Sequence, residues 1–253
     1  MDDFADRRVL VTGGDGGVGA EVGAQFAARG AHVILAGIRP RQGAAVAARI
    51  GAAAEYVALD VADESQWVRV VADVLARHGR LDVVVNNAGY LRPGLSIEDT
   101  TLEEWRRHFA VNADGAFLGC KHGILAMKGR GSGAIVNVSS AVAVRLHPQA
   151  PAYGVSKASI LATTRVAAQH CGQRRYGIRV NCVLPGPIDT EMMRSNVPGE
   201  AEFARLSQAL VEKYGMPRIG VPADVANLVT FLASDAAAYV TGAAFTVDGG
   251  QSA

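Results

Sequence analysis

The stretch Thr12-Gly-Gly-Asp-Gly-Gly-Val-Gly19 narrows what this chain can fold into more than any other. Before it runs Arg8-Val-Leu-Val-Thr12, apolar and of strand length. After it, apolar residues recur at helical spacing from Ala20 to Arg29 and stop at Gly30, a natural C-terminal cap. A strand, a glycine turn and a helix in that order place unpaired amides and a positive dipole end beside a backbone that a ligand can approach closely. Two registers fit a pyrophosphate cradle: Gly14-x-Gly16-x-x-Gly19, and the longer Gly13-x-x-x-Gly17-x-Gly19. A turn without a ligand is the plain alternative, and the flanking strand and helix favour the nucleotide.

The same rhythm repeats along the chain. Strands are expected at His32–Ala36, Glu55–Leu59, Leu81–Val85, Ala134–Ser139, Ile178–Leu184 and Ala243–Val247. Helices are expected near Arg41–Ile50, Glu64–His78, Leu102–Met127, around Tyr153–Cys171, and at Ala223–Ser234. Fully apolar strands alternating with helices imply α/β architecture: a doubly wound parallel sheet with helices on both faces, three layers in all. The segment from Gly186 to Gly220 breaks the rhythm and reads as an insertion, about 187–220, over the sheet's C-terminal edge. With no linker or repeat, residues 1–253 are expected to form a single domain.

Charge excludes some functions. Basic and acidic residues number 25 and 24 with no basic run, so no nucleic-acid footprint is expected. No apolar stretch approaches the ~20 residues of a membrane span. The charged N-terminus shows no signal peptide, and Cys120, Cys171 and Cys182 lack disulfide or zinc spacing, so a cytoplasmic protein is expected.

Tyr153 and Lys157 stand four residues apart, on one helix face. An ammonium beside a phenol favours phenolate, which makes Tyr153 a candidate general acid/base. By spacing alone the pair is more often an ordinary amphipathic face. Its company changes that. Thr12-Gly13-x-x-x-Gly17-x-Gly19, Asn86-Asn87-Ala88-Gly89, Ser140, Tyr153-x-x-x-Lys157 and Pro185-Gly186, in that order, resemble the short-chain dehydrogenase/reductases from Arg8 to Gly250. Gly119-Cys-Lys-His-Gly-Ile-Leu-Ala-Met-Lys128 and Val247-Asp-Gly-Gly250 resemble bacterial secondary-alcohol and hydroxysteroid dehydrogenases in particular.

The resemblance implies a Rossmann-like fold and a nicotinamide cofactor. It implies catalytic roles for Asn112, Ser140, Tyr153 and Lys157, with Asn112 holding a water that links Lys157 to solvent. Ser139 rivals Ser140, but thirteen positions from Ser140 to Tyr153 match the family separation. The implied cofactor contacts are Gly13, Asp15, Gly17, Val18, Gly19, Gly37, Arg39, Asp60, Val61, Asn87, Ala88, Gly89, Pro185, Gly186, Ile188 and Thr190, besides Tyr153 and Lys157. Asp60 could instead cap the next helix, a task Asp63 could also fill.

An acid about 20 residues past the glycine turn usually binds the 2′-hydroxyl of NAD. Gly37 stands there, and Arg39 could meet a 2′-phosphate, so the balance leans to NADP(H) over NAD(H). Ile38 and Asp15 pull the other way. Leu91, Ala141, Val142, Pro187, Met192, Met193 and the segment Val197–Leu210 suggest an apolar pocket, with His147 its polar exception. The expected activity is NAD(P)(H)-dependent interconversion of a secondary alcohol and a ketone, without metal, on an alicyclic, aryl or steroid-like substrate. The alternatives are a 3-oxoacyl-(acyl carrier protein) reductase, hinted at by Arg194, Arg205, Lys213 and Arg218, and a non-catalytic NAD(P) sensor. The helices near 102–127 and 153–171 carry long apolar faces, which in the resembled family pair across subunits, so a homotetramer is expected, with a dimer next.

Overall fold

The fold is described from a computed structural model, which covers residues 3–214 and 216–253. Seven parallel strands form one sheet in the order β3-β2-β1-β4-β5-β6-β7. They are β1 Arg8–Thr12, β2 His32–Gly37, β3 Ala54–Ala58, β4 Val83–Asn86, β5 Gly133–Val138, β6 Ile178–Pro185 and β7 Ala244–Val247. The chain winds outward from β1 to β3, then crosses back to β4 on the other side of β1. That reversal opens a crevice at the strands' C-terminal ends, where β1 and β4 part.

Side-chain alternation along each strand feeds two cores. Val9, Val11, Val33 and Leu35 pack beneath α1 (Gly17–Ala28), α2 (Pro40–Ile50) and α9 (Pro222–Ala233). Leu10, Ile34 and Val84 pack beneath α3 (Glu64–His78), α5 (Gly115–Met127) and α6 (Pro151–Gln173). Trp67, fully buried in the second core, donates its indole N–H to the Val61 carbonyl at 3.0 Å. The expected three-layer α/β arrangement is present.

Two departures from the sequence reading bear on function. The single helix expected over Leu102–Met127 is α4 (Leu102–His108), a π-helical turn at Phe109–Asp114, and then α5. The wide turn surrounds Asn112, whose amide is drawn inward by three hydrogen bonds that an unbroken α-helix would have to match with its own register. The insertion after β6 is itself helical, with the short α7 (Glu191–Arg194) and α8 (Glu200–Tyr214). Arg194 fastens it, gripping both carboxylate oxygens of Asp189 at 2.6 and 2.8 Å and Glu200 at 2.6 Å.

Candidate active site

A cleft of about 790 Å³ runs along the C-terminal ends of the strands, between the glycine turn and the helical insertion. One hydroxyl sets its floor. Thr12 Oγ1 accepts from the amides of Asn87 and Ala88 at 3.0 and 3.1 Å, while Asn87 Nδ2 donates to the Thr12 carbonyl at 3.0 Å. The turn after β1 and the loop after β4 are thus tied into one surface. Behind them Asn86 donates to Asn137 at 2.8 Å, and Asn137 to Thr164 on α6 at 2.9 Å. This buried amide ladder fixes α6, and Tyr153 with it, against the sheet.

Gly13 and Gly17 have positive φ, 64° and 51°. A side chain on Gly13 would place its Cβ 2.9 Å from Ala88 Cα, so only glycine lets the turn lie this close to the loop. Gly13, Asp15, Gly17, Val18, Gly37, Arg39, Asp60, Val61, Asn87, Ala88 and Gly89 all line one half of the cleft. Asp63, not Asp60, caps α3, accepting from Ser65 N at 2.9 Å, while Asp60 Oδ1 accepts from Ala62 N at 3.0 Å at the edge of the cleft. Pro185, Gly186, Ile188 and Thr190 face them from across, and Thr190 Cγ2 comes within 3.6 Å of a Cβ built on Gly17. This glycine-floored, two-sided cradle suits an extended dinucleotide in size and shape. Gly19 does not line it. It is buried behind the turn, where a Cβ would lie 2.2 Å from the Gly13 carbonyl oxygen, so its smallness serves packing.

Ser140, Tyr153 and Lys157 meet where the two halves join. The Ser140 hydroxyl accepts from Val142 N at 3.3 Å and lies beside the Tyr153 phenol in the lining of the cleft. Ser139 is not its rival, since its hydroxyl donates to the Lys157 carbonyl at 2.7 Å and is buried there. Lys157 Nζ donates to the Val138 carbonyl at 3.0 Å and lies 5.9 Å from the centre of the Tyr153 ring. Burial pushes Lys157 down to about 8. Burial also pushes the Tyr153 phenol above its usual range, with the neighbouring Ser140 hydroxyl pulling the other way. The expected lowering by Lys157 is not seen, because the ammonium is turned to Val138 and desolvation outweighs it.

Asn112 is buried behind this group and does not line the cleft. Its Oδ1 accepts from Tyr90 N at 2.8 Å; its Nδ2 donates to Tyr90 O at 3.0 Å and to Ser156 Oγ at 2.9 Å. A Cβ on Gly89 would lie 3.4 Å from Asn112 Oδ1 and 3.3 Å from Lys157 Nζ, which places those two polar atoms on either side of one small gap. Ser156, which also donates to Tyr153 O at 2.9 Å, is a positioning residue that the sequence reading missed. As one more serine in a helix it carried no signal. Glu191 was missed too: it holds Arg39 at 2.8 Å from the far side of the cleft, a pairing that only folding brings about.

Of the expected substrate contacts, Leu91, Val142, Pro187, Met192 and Met193 line the cleft, with Val197, Leu206 and Leu210 from the insertion. Two do not. Ala141 is fully buried in a 3-10 turn, and His147 is exposed outside the cleft, accepting from Gln149 N at 3.2 Å. The turn directs Val142 into the cleft and Ala141 into the core, and His147 lies in the exposed loop beyond it.

A family model described as "Enoyl-(Acyl carrier protein) reductase" matches residues 13–252. The chain is 39% identical over 240 residues to a 3-beta-hydroxysteroid dehydrogenase of Comamonas testosteroni, covering 94% of this chain and 93% of that one. It belongs to the short-chain dehydrogenase/reductase family. Another relative is the NADP-dependent (R)-specific alcohol dehydrogenase of Lentilactobacillus kefiri, 38% identical over 96% of each chain. Among solved structures, a 3-ketoacyl-(acyl-carrier-protein) reductase from Brucella melitensis complexed with NADH superimposes with a TM-score of 0.91. It is 29% identical and covers 98% of this chain and 99% of that one. As a short-chain dehydrogenase/reductase the chain is an oxidoreductase of the NAD(P)-using kind, and no helix among its described residues is long and apolar enough to cross a membrane.

Proposed function

We propose that this short-chain dehydrogenase/reductase interconverts a secondary alcohol and a ketone on an apolar, ring-bearing substrate, in the cytoplasm. The observation that carries the reading is the meeting of Ser140, Tyr153 and Lys157 at the junction of a dinucleotide-sized cradle and an apolar pocket. Ser140 orients the substrate oxygen by donating to it. Tyr153 takes the hydroxyl proton during oxidation and returns it during reduction. Lys157, charged below about 8, grips the cofactor ribose, and its ammonium would favour the phenolate on turning from the Val138 carbonyl to the phenol. Asn112 holds the Tyr90 loop and the α6 backbone in register and sits where a water could relay protons from Lys157. The nicotinamide, when bound, accepts or gives the hydride, and preorganised donors around the oxygen do the remaining work.

The lean towards NADP(H) rested on Gly37 and Arg39, and the L. kefiri relative is named as NADP-dependent. The fold adds two carboxylates to that corner. Asp15 sits against Gly37, and Arg39 is bridged to Asp15 at 3.3 Å and to Glu191 at 2.8 Å. A 2′-phosphate would have to displace one carboxylate and face the other, whereas a 2′-hydroxyl can donate to Asp15. On this ground NAD(H) comes ahead of NADP(H).

Acyl carrier protein substrates are disfavoured by the same kind of bookkeeping. Three of the four basic residues that hinted at them are already paired: Arg194 with Asp189 and Glu200, Arg205 with Glu202, and Arg218 with Asp224. A homotetramer is supported by two separate exposed apolar faces. Phe117, Leu125 and Val166 lie on α5 and α6; Phe231 and Tyr239 lie at and after α9. Two distinct faces are what a dihedral tetramer requires. Oxidation of NADH and NADPH against ketones from cyclohexanone to steroids, with acetoacetyl thioesters alongside, tests the reading. Turnover confined to the thioesters would overturn it, and so would cofactor binding with no turnover.

A further inference from the structure

At the opposite end of the sheet from the cleft, three residues spaced 23 apart in sequence converge. His32 opens β2, Glu55 lies near the start of β3, and His78 closes α3. His32 Nε2 and His78 Nε2 both point at one oxygen, Glu55 Oε1, at 3.3 and 2.8 Å, and the three atoms lie within 4.8 Å of one another. We propose that this His–Glu–His cluster is a divalent transition-metal site, with Zn²⁺ its best-fitting ion, separate from the catalytic cleft.

Bond lengths of about 2.0–2.1 Å in a tetrahedral zinc site put ligand atoms about 3.4 Å apart. Reaching that spacing asks His78 to draw back by about 0.6 Å from Glu55 and the two imidazole nitrogens, within 4.8 Å of each other, to close by up to about 1.4 Å. Side chains alone can do this, because each backbone is anchored. His32 N donates to Arg7 O at 2.9 Å, Glu55 pairs with Ile34 in the β2–β3 register, and α3 ends on the left-handed Gly79. Two imidazoles and a carboxylate oxygen suit zinc, copper, nickel or cobalt and not magnesium or calcium.

Neighbouring groups hold the ligands as metal sites require. Arg77 Nη1 donates to Glu55 Oε2 at 2.5 Å, leaving Oε1 as a single ligand oxygen. Asp73 takes the rest of the Arg77 guanidinium, at 2.9 Å to Nε and 2.7 Å to Nη2. With neutral imidazoles the charges of Glu55, Asp73 and Arg77 sum to −1, so the cluster attracts a cation despite the arginine. All three candidate ligands are half-buried, with water able to reach a fourth position. The ion would tie the edge strand β3 to β2 and to the end of α3, stiffening an edge far from the chemistry. The three cysteines are buried and do not compete.

The test uses the full chain, stripped by chelator and titrated calorimetrically with Zn²⁺, then with Co²⁺ followed by visible absorption. One Zn²⁺ per chain, a rise in melting temperature on loading, and unchanged turnover are expected. His32→Asn and His78→Asn should each weaken binding at least about tenfold, and His170→Asn, at an exposed histidine, should not. A cluster held only by hydrogen bonds would take up no zinc at 100 µM (roughly the weakest affinity a structural role tolerates) and would give no cobalt absorption. That result overturns the proposal, and so does equal uptake by the His32→Asn and His78→Asn chains.

Discussion

The Asp15 carboxylate occupies the space that a side chain at Gly37 would need: its Oδ2 lies 2.6 Å from where a Cβ on Gly37 would be. An aspartate's own carboxylate oxygens lie at about that distance from their Cβ, given standard bond lengths. The acid that position 37 lacks is therefore supplied by the glycine turn, and Asp15 is buried while it does so. Asp15 also fixes Arg39, accepting from its backbone amide at 3.1 Å.

Replacing Asp15 by Asn should shift cofactor choice. The 2′-hydroxyl loses a charged acceptor and Arg39 loses one partner, so NADH binding should weaken and NADPH binding strengthen, each by roughly tenfold for one charge-assisted bond. Fluorescence titration of both reduced cofactors measures it. Unchanged affinities would mean that the Asp15 carboxylate does not face the ribose.

Tyr153→Phe removes the proton carrier and leaves the cradle intact. Turnover should fall by about 10²–10⁴, the usual contribution of a positioned acid or base. The dissociation constant for cofactor should stay within a few-fold. Retained turnover would remove Tyr153 from the mechanism.

Lys157 gives a pH signature in stability. Its folded pKa, about 8, lies below the value of an exposed lysine, so the unfolded chain binds the extra proton. Stability should therefore rise with pH between about 8 and 10.5, and below 8 the full cost, of order 3 kcal/mol, is present. Lys157→Met should flatten that rise and abolish turnover. Melting temperatures of both proteins from pH 7 to 10 check the sign.

Asn112→Ala takes their partner from the Tyr90 N–H and C=O and removes the amide from which the buried Ser156 hydroxyl accepts. At about 1 kcal/mol per lost bond, the loss should be about 3 kcal/mol, read from urea unfolding. The larger effect on activity should appear in kcat, since the Tyr90 loop and α6 lose their common tie.

The residues that make this site had to be small, aromatic or cationic at set intervals along strands and turns, and such intervals are visible in a sequence. The glycine turn, the apolar strands, the thirteen residues from Ser140 to Tyr153 and the helical Tyr153–Lys157 spacing are all local patterns of this sort. What they could not show depends on distance through space. The π turn at Asn112 follows from a partner, Tyr90, that lies 22 residues away. Spacing favoured Ser140 over Ser139, but the physical reason, that the Ser139 hydroxyl is taken by the Lys157 carbonyl, lies only in the fold. Arg39 read as a phosphate ligand until folding set it between Asp15 and Glu191, the latter 152 residues on. The sequence by itself determined the doubly wound sheet and the kind of chemistry, because both follow from periodicity and residue type. Tertiary structure alone decided which charges neutralise each other, because Coulomb energy and desolvation depend on where side chains end up and not on their order in the chain.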